Sequence, residues 1–266
     1  MKLFNYDGVS CVMTAQEARA IRRRYDALHA EYGLGDRRVM IGVYTSSKSM
    51  LGIPVYHPRR FVRLGEMPEI FVDSPIAFNV IHHATDDMST LVWQVTQVLA
   101  SGGPHVHGVQ LNTELPSLEQ LQAIRKAFPE LRIIQNLAPL MKKGVAGLEL
   151  VAVANATAKA MNEEMPIGLI TDVLIDASNG RGVPINAETA NVWHRAFRSH
   201  FNYRELAIGV AGSLGPDKLD PVAELIQTEG VSVDAETNLR NGEDDLDLNL
   251  VMRYLEEVTA QASMKQ

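Results

Sequence analysis

The stretch Leu206-Ala-Ile-Gly-Val-Ala-Gly-Ser-Leu-Gly-Pro-Asp-Lys-Leu219 joins an apolar run to a turn of small residues and then to a helix-like segment. Such a turn leaves backbone N–H groups at the positive end of a helix dipole, where a phosphate can bind. A second run, Gly230-Val-Ser-Val-Asp234, follows about one helix later. Two such units near the C-terminus are typical of (β/α)8 barrels that hold a phosphate. The alternative is that Gly212 and Gly215 only shape a tight turn.

Short apolar runs rich in β-branched residues alternate with helix-like segments along the chain. The predicted strands are Val9–Met13, Arg38–Tyr44, Ala77–His82, Val106–Leu111, Arg132–Gln135, Thr171–Ala177, Leu206–Val210 and Gly230–Val233. The predicted helices are Ala15–Tyr32, Ser89–Ala100, Ser117–Ala127, Gly147–Met161, Ala187–Ser199, Asp217–Thr228 and Leu246–Ala260. Strands that alternate with helices pair in parallel through right-handed crossovers. The pattern predicts an α/β fold, a single (β/α)8 TIM barrel over residues 1–266, with a doubly wound open sheet as the alternative.

Composition agrees with one barrel and limits the possible partners. Apolar residues make up 46% and charged residues 21% of the 266 positions, as in globular domains. A net charge of −7 disfavours a broad nucleic-acid surface. We find no run of 18 apolar residues and no signal-peptide pattern, and the single cysteine, Cys11, allows no internal disulfide. We therefore expect a cytoplasmic protein, monomer or homodimer, that binds neither nucleic acid nor membrane.

An irregular segment, residues 45–75, follows the second predicted strand. It contains four prolines and the basic cluster Arg59-Arg60-Phe-Val-Arg63. A connection this long without regular structure is unusual in a compact domain and is often functional. We predict that it is an insertion over the C-terminal face of the barrel. A solvated surface excursion is the alternative.

The functional groups of a barrel lie where strands end and loops begin. Asp176 lies in the apolar run Val173-Leu-Ile-Asp-Ala177, where an ionised carboxylate is costly without partners. Burial raises a carboxyl pKa and suits the group to general acid catalysis, although a structural carboxylate is the alternative. Cys11 becomes a base or nucleophile if a positive neighbour lowers its pKa, and is otherwise a small buried hydrophobe.

Neighbouring strand residues point to opposite faces, so at most one of His82 and His83 enters the barrel while the other packs under a helix. They therefore cannot bind one metal together, and no third ligand follows at a recognisable spacing. We predict neither a metal nor a cofactor.

Several stretches together resemble phosphoribosylanthranilate isomerase, a (β/α)8 barrel of the tryptophan pathway. They are similar to the family's first, second, fourth and sixth strands and its phosphate loop, and comprise Ser10–Thr14, Gly42–Ser49, Gly108–Leu111, Asp172–Ser178 and Ala211–Asp217. The family's histidine after Gln-Leu is replaced by Asn112, and the arginine after the second-strand Lys-Ser by Met50. The sequence thus looks like a divergent member.

The resemblance implies an isomerase that carries out an Amadori-type rearrangement of a small phosphorylated sugar derivative. By this likeness, Cys11 would be the general base and Asp176 the general acid. The positions that would bind the substrate or its phosphate are Gly212, Ser213, Asp234, Ala235, Gln110, Asn112 and Arg181.

Two other functions stay open, because a fold does not decide a function. One is a phosphate-binding barrel lyase or hydrolase. A Schiff-base lyase needs an inward lysine, which no predicted strand carries, and Lys48 lies just past one. The other is a non-catalytic barrel that binds a phosphorylated metabolite. The changed family positions favour it, whereas Cys11 and Asp176 oppose it.

Overall fold

Eight parallel strands form a closed barrel in which β1 pairs with both β2 and β8. The computed structural model describes residues 2–141, 146–176 and 184–264. The strands are β1 (Tyr6–Val9), β2 (Arg38–Ser46), β3 (Ala77–Ala84), β4 (Gly108–Asn112), β5 (Arg132–Asn136), β6 (Asp172–Asp176), β7 (Ala207–Ala211) and β8 (Ser232–Ala235). The predicted single (β/α)8 TIM barrel is confirmed, and a doubly wound open sheet is excluded.

Helices surround the barrel, and those of the described ranges are α1 (Ala15–Tyr32), α2 (Ser47–Met50), α3 (Met67–Ile70), α4 (Leu91–Gly102), α5 (Leu118–Ala127), α6 (Gly147–Glu164), α7 (Ala187–His200) and α8 (Leu248–Ser263). The connection from β2 to β3 contains only the short α2 and α3 and two 3-10 turns, which confirms the irregular insertion. None of the helices described is long and apolar enough to cross a membrane.

Capping residues explain where α1 and α5 begin. The Thr14 side chain accepts a hydrogen bond from the N–H of Glu17, and the Glu17 carboxylate accepts the Thr14 N–H in return. Ser117 and Gln120 form the same reciprocal box at α5, as the Ser-Leu-Glu-Gln sequence predicts. Both boxes satisfy N–H groups that the first helical turn leaves unpaired.

The predicted first strand, Val9–Met13, is wrong, because β1 runs from Tyr6 to Val9. Asp7 hides the strand in the sequence: its buried carboxylate accepts bonds from Arg37 (Nη2–Oδ1 2.6 Å) and from the Tyr25 hydroxyl (2.7 Å). At Cys11 the backbone has φ +62°, a left-handed conformation that ends an extended strand. Cys11 therefore lies in the loop between β1 and α1.

The predicted helix Asp217–Thr228 is also wrong in its start and its regularity. Asp217 has φ +59° and so cannot begin a helix. Helical structure starts with a 3-10 turn at Asp220–Val222 and continues as a π-helical turn at Leu225–Glu229. Consequently no regular helix begins directly after the β7 turn.

The predicted last strand, Gly230–Val233, is displaced by two residues. Strand β8 covers Ser232–Ala235, since Gly230 has φ +68° and closes the preceding helical turn. Asp234 is thus a strand residue rather than part of the loop that follows. This register decides where its carboxylate lies.

The barrel interior holds an apolar layer above a buried ion pair. The apolar side chains inside the strands are Tyr6, Met40, Phe78, Val80, Ile134, Leu174 and Ala211. At the N-terminal ends of β5 and β6, Arg132 pairs with Asp172, and both side chains are 2% exposed. The Arg132 guanidinium also lies 4.3 Å from the Phe4 ring centroid and 4.7 Å from that of Phe78.

The two adjacent histidines occupy opposite faces of β3, as predicted. The His82 ring lies inside the barrel, with its centroid 5.0 Å from the Tyr44 ring centroid. The His83 ring lies outside, where its Nε2 is 2.8 Å from Oε1 of Gln94 on α4. Burial lowers the pKa of His82 to about 3, so this imidazole is neutral.

Candidate active site

A small cavity opens at the C-terminal ends of the strands, where barrels carry their functional groups. Its volume is about 40 Å³. The described residues that line it are Tyr44, Gln110, Asn136, Leu174, Asp176, Ala211, Gly212, Ser213, Asp234, Glu236 and Thr237. We refer to it as the mouth cavity. Five of the predicted site residues line it together: Gln110, Asp176, Gly212, Ser213 and Asp234.

Asp234 is the most perturbed carboxyl group of the mouth cavity. The Ser10 hydroxyl donates to Oδ1 of this carboxylate at 2.6 Å. Burial, together with the nearby carboxylates of Glu236 and Asp176, raises the pKa of Asp234 to about 7. A Cβ atom at Gly8 would lie 2.8 Å from Oδ1, so a glycine there makes room for the acid. A carboxyl group with this pKa can both accept and donate a proton at neutral pH.

Asp176 ends β6 and faces the same cavity. The side chain is buried, and the Nδ2 amide of Asn136 lies 3.4 Å from Oδ2 of Asp176. The backbone N–H of Ala138 donates to Oδ1 of Asn136 at 2.8 Å and thereby fixes which end of that amide faces the acid. The predicted location of Asp176 at a strand end is therefore confirmed, while its role as general acid stays a prediction.

A chain of amides runs from Asn136 across the cavity to His82. Since the Asn136 oxygen is taken by Ala138, its Nδ2 donates to Oδ1 of Asn112 at 3.0 Å. The Nε2 amide of Gln110 donates to the same Asn112 oxygen at 3.1 Å and lies 3.2 Å from Nδ1 of His82. These contacts fix the orientation of Gln110. Its Oε1 is buried and has no hydrogen-bond partner within the described part of the chain.

Cys11 lies beside the mouth cavity but not among its described lining residues. Its side chain is fully buried, and its carbonyl oxygen accepts a hydrogen bond from Nη2 of Arg240 at 3.1 Å. Burial and the negative charge of Glu236 raise the pKa of the Cys11 thiol well above its usual value, although Arg240 acts in the opposite direction. A raised pKa disfavours the thiolate that a general base requires.

Charged side chains from the β2–β3 connection close one side of the site. Arg60 donates to Oε1 of Glu236 at 2.6 Å and forms a bidentate pair with Asp244. Glu236 also accepts the Tyr44 hydroxyl at 3.2 Å, and Arg240 lies 3.9 Å from both carboxylates. The insertion is thus joined to the loop after β8 at the C-terminal face.

The predicted site residues do not include Arg60, Arg240 or Glu236. The signal that could have found Arg60 is charge complementarity, because the basic cluster of residues 59–63 matches the acidic run Glu243-Asp-Asp245. Arg59 indeed contacts Asp245 at 2.8 Å. A sequence separation of more than 170 positions hides such a match unless the barrel topology is already known.

The predicted phosphate loop lies at the rim of the mouth cavity. Gly212 and Ser213 have φ +123° and +53°, and they turn the chain sharply after β7. The loop packs against the turn after β8, where Nδ2 of Asn238 donates to the Ser213 carbonyl oxygen at 2.5 Å. The exposed Lys218 donates to Oδ1 of Asn238 at 2.7 Å and places a positive charge at this rim. Lys218 is not among the predicted site residues.

The remaining predicted residues are placed as follows. Asn112 ends β4, where it joins the amide chain, and Ala235 is the buried last residue of β8. Arg181 lies outside the described residues, so the structure does not locate its side chain. Across the described ranges, no group of three or more histidine, cysteine, aspartate or glutamate side chains is arranged to hold a metal.

No protein-family model matches this sequence, and no curated protein matches it. Solved structures do match the fold. Phosphoribosyl anthranilate isomerase from Thermus thermophilus superposes with a TM-score of 0.62 at 14% identity, over 97% of this chain and 98% of that one. N-(5'-phosphoribosyl)anthranilate isomerase from Pyrococcus furiosus gives 0.62 at 13% identity, with the same coverage.

KGPDC from Streptococcus mutans also matches, with a TM-score of 0.50 at 13% identity over 97% of this chain and 98% of that one. Identities this low establish the architecture and leave the reaction open. At the level of the fold, the resemblance found in the sequence is confirmed: this chain is built like a phosphoribosylanthranilate isomerase.

Proposed function

We propose that this chain is an isomerase that transfers a proton within a small phosphorylated sugar derivative, with Asp176 and Asp234 as its acid–base pair. The observation that carries the proposal is the presence of both carboxyl groups in the wall of one cavity at the C-terminal ends of the strands. The pKa of Asp234, about 7, suits proton transfer near neutral pH.

The two carboxyl groups take different steps in this scheme. The sugar in this scheme carries an amine nitrogen on C1. Asp176 protonates the ring oxygen, so that the bond from C1 to that oxygen breaks, and the lone pair of the nitrogen forms an iminium with C1. Asp234 accepts the proton from C2, and the electron pair of that bond neutralises the iminium as an enamine, which tautomerises to the ketone. Atoms are conserved overall, because the proton taken from carbon returns through solvent or the same carboxyl group.

The assignment of Asp234 as base leads to a clear expectation for Cys11. Replacing Cys11 with alanine should leave kcat within about threefold of the wild-type value, because Cys11 takes no proton in this scheme. Loss of a true general base would lower kcat by about 10²–10⁴. Alanine has the same backbone preferences at φ +62°, so the loop strain is matched. Steady-state kinetics would decide the question. A loss of a hundredfold or more would return the role of base to the thiol.

The phosphate is expected at the rim rather than among the carboxylates. Replacing Lys218 with methionine should weaken binding of a phosphorylated ligand about fivefold, corresponding to about 1 kcal/mol for an exposed charge pair. Binding of the unphosphorylated analogue should not change. Titration calorimetry with both ligands measures the difference. Lys126→Met on the exposed face of α5 is the matched control, and an equal effect of both variants would argue against a phosphate at this rim.

Solvent exchange tests the proposed reaction directly. The purified protein is incubated in D2O with a panel of aldose phosphates and their aminated derivatives, and deuterium at carbon is followed by NMR. Isomerisation by a carboxyl base introduces deuterium at the carbon next to the new carbonyl group. Binding without exchange or conversion across the panel would indicate a non-catalytic barrel instead.

A further inference from the structure

We infer that Gln110 accepts a hydrogen bond from the C2 hydroxyl of the sugar and thereby selects rings that carry this hydroxyl over 2-deoxy rings. The inference rests on the proposed function, in which Asp234 removes the C2 proton and Asp176 protonates the ring oxygen. It goes further because it assigns one atom of the substrate to Gln110 and names a residue that decides specificity.

A backbone N–H group fixes the orientation of the Gln110 amide. The N–H of Ala138 occupies the oxygen of Asn136, so Nδ2 of Asn136 donates to Oδ1 of Asn112. The same Asn112 oxygen accepts from Nε2 of Gln110 at 3.1 Å, and this nitrogen also lies 3.2 Å from Nδ1 of His82. Turning the Gln110 amide over would place two acceptor oxygens against each other. Nε2 therefore faces Asn112, and Oε1 is the end of the amide that stays available.

Oε1 of Gln110 is a buried acceptor that no group in the described ranges satisfies. The side chain is 1% exposed and lines the mouth cavity. Its two amide hydrogens are directed at Asn112 and at His82, whose neutral ring accepts at Nδ1 because burial lowers the pKa of His82 to about 3. An unpaired buried acceptor is destabilising, and a ligand hydroxyl in the cavity removes this cost. The cavity is thus suited to receive a hydrogen-bond donor.

The positions of three strands decide which group of the sugar reaches Oε1. In the closed order of eight strands, β4 lies opposite β8, and β6 lies midway between them on one side. Gln110 on β4, Asp176 on β6 and Asp234 on β8 all line the mouth cavity. A ring whose C2–H bond faces β8 and whose oxygen faces β6 turns its other face toward β4. Because C2 is tetrahedral, its hydroxyl lies on the face opposite its hydrogen and so points to Gln110.

This contact directs the base to the carbon proton. An O–H group is a much better hydrogen-bond donor than a C–H group. Asp234 already accepts the Ser10 hydroxyl at 2.6 Å, and a substrate hydroxyl on the same carboxylate would compete with proton transfer from carbon. Holding that hydroxyl on the opposite wall leaves C2–H facing the base. Gln110 only accepts a hydrogen bond and gains no proton, so the balance of the reaction is unchanged.

The mouth cavity is small enough for both walls to contact one edge of the ring. Its volume of about 40 Å³ exceeds the roughly 10–15 Å³ that one water needs, but a whole sugar phosphate does not fit. The C1–C2 edge with its hydroxyl enters, while the phosphate stays at the rim beside Lys218. A missing hydroxyl therefore leaves Oε1 unpaired.

Two ring phosphates that cannot react test this inference. 1,4-Anhydroribitol 5-phosphate lacks the C1 nitrogen, and its 2-deoxy form lacks the C2 hydroxyl as well. We expect the hydroxylated ring to bind the wild-type protein about tenfold more tightly by titration calorimetry, which corresponds to about 1.4 kcal/mol, because only this ring satisfies Oε1. Equal affinities for the two rings would overturn the inference. This comparison needs no variant and so does not depend on whether a variant folds.

Variants assign the preference to one side chain. Gln110→Met removes the acceptor and keeps the length of the side chain, so the two rings should bind this variant within about twofold of each other. Gln94→Met is the matched control, because Gln94 is equally buried but bonds to His83 outside the barrel, and it should keep the tenfold preference. Thermal melts establish that both variants fold. A preference that survives in Gln110→Met would assign the hydroxyl to another residue and overturn the inference.

This experiment can fail independently of the proposed function. If Gln110 selects the C2 hydroxyl but no phosphosugar is converted or exchanged in D2O, the binding inference stands and the proposed isomerase fails. If conversion occurs and the two rings bind equally, the isomerase stands and the inference fails.

Discussion

Replacing Asp234 with asparagine is expected to lower kcat by about 10²–10⁴, the usual contribution of a general base. The amide keeps the shape of the carboxyl group and can still accept the Ser10 hydroxyl, so the loss reports proton transfer rather than packing. Steady-state assays with the substrate that the wild-type protein converts measure this loss of kcat. In the wild-type protein, kcat/KM should rise with pH through about 7 as Asp234 loses its proton, and this limb should disappear in the variant.

The same substitution should stabilise the protein at alkaline pH. A carboxyl group whose pKa is higher in the folded than in the unfolded chain binds more protons when folded, so the free energy of unfolding falls as pH rises. For Asp234 the fall occurs between about pH 3.8 and about pH 7. The asparagine variant avoids it and should gain as much as about 4 kcal/mol at pH 8, at 1.36 kcal/mol per pKa unit.

Urea unfolding at pH 4 and pH 8 measures the free energy of unfolding of the Asp234→Asn variant and of the wild-type protein. The variant and the wild-type protein should differ little at pH 4 and clearly at pH 8. Asp36→Asn, an exposed aspartate with an ordinary surface pair, serves as the control and should show no such gain. An Asp234→Asn protein that is both active and no more stable at pH 8 would contradict the assignment of this residue as a buried, functional acid.

Removing the carboxylate of Asp172 is expected to destabilise the fold by about 3–5 kcal/mol, because Arg132 would keep a buried charge without its counterion. Arg132 is held between the Phe4 and Phe78 rings and donates to the Phe4 carbonyl oxygen, so it cannot reach solvent easily. Thermal melts of Asp172→Ala should fall by about 10 °C for a chain of this size. We expect Asp172→Ala to destabilise the fold more than any other single charge deletion predicted for this protein, because the Arg132–Asp172 pair is buried at the N-terminal end of the barrel.

Two controls isolate the effect of burial. Asp26→Ala breaks a surface pair with Arg22, and its cost should be below about 1 kcal/mol. The double variant Arg132→Met with Asp172→Leu removes both charges and should recover most of the lost stability. If Asp172→Ala melts at the same temperature as the wild-type protein, the ion pair contributes nothing to stability, and the N-terminal end of the barrel tolerates an uncompensated guanidinium.

Elements governed by local rules could be predicted from the sequence. The alternation of apolar runs with helical segments defines the barrel, and the Ser117 capping box marks the start of α5. The opposite faces of His82 and His83 follow from strand geometry alone. Each of these features depends on residues a few positions apart, which a single sequence displays.

Features that depend on distant partners could not be predicted. Strand β1 is disguised by Asp7, whose burial makes sense only beside Arg37. The π-helical turn after β7 has no local signal that we recognise. At the site, the acid at position 176 is visible as a polar residue in an apolar run. The pKa of Asp234, in contrast, depends first on its burial in the closed barrel and then on the nearby carboxylates of Glu236 and Asp176.

Closure of the barrel through β1 and β8 has a consequence for synthesis. The N–H of Tyr6 donates to the Ser232 hydroxyl 226 positions later, so the first strand emerges from the ribosome long before its second neighbour exists. Until then the nascent chain exposes an unpaired edge, the feature that favours aggregation. These two strands are also the shortest of the eight, at four residues each. Brevity leaves few backbone groups open to mispairing during translation.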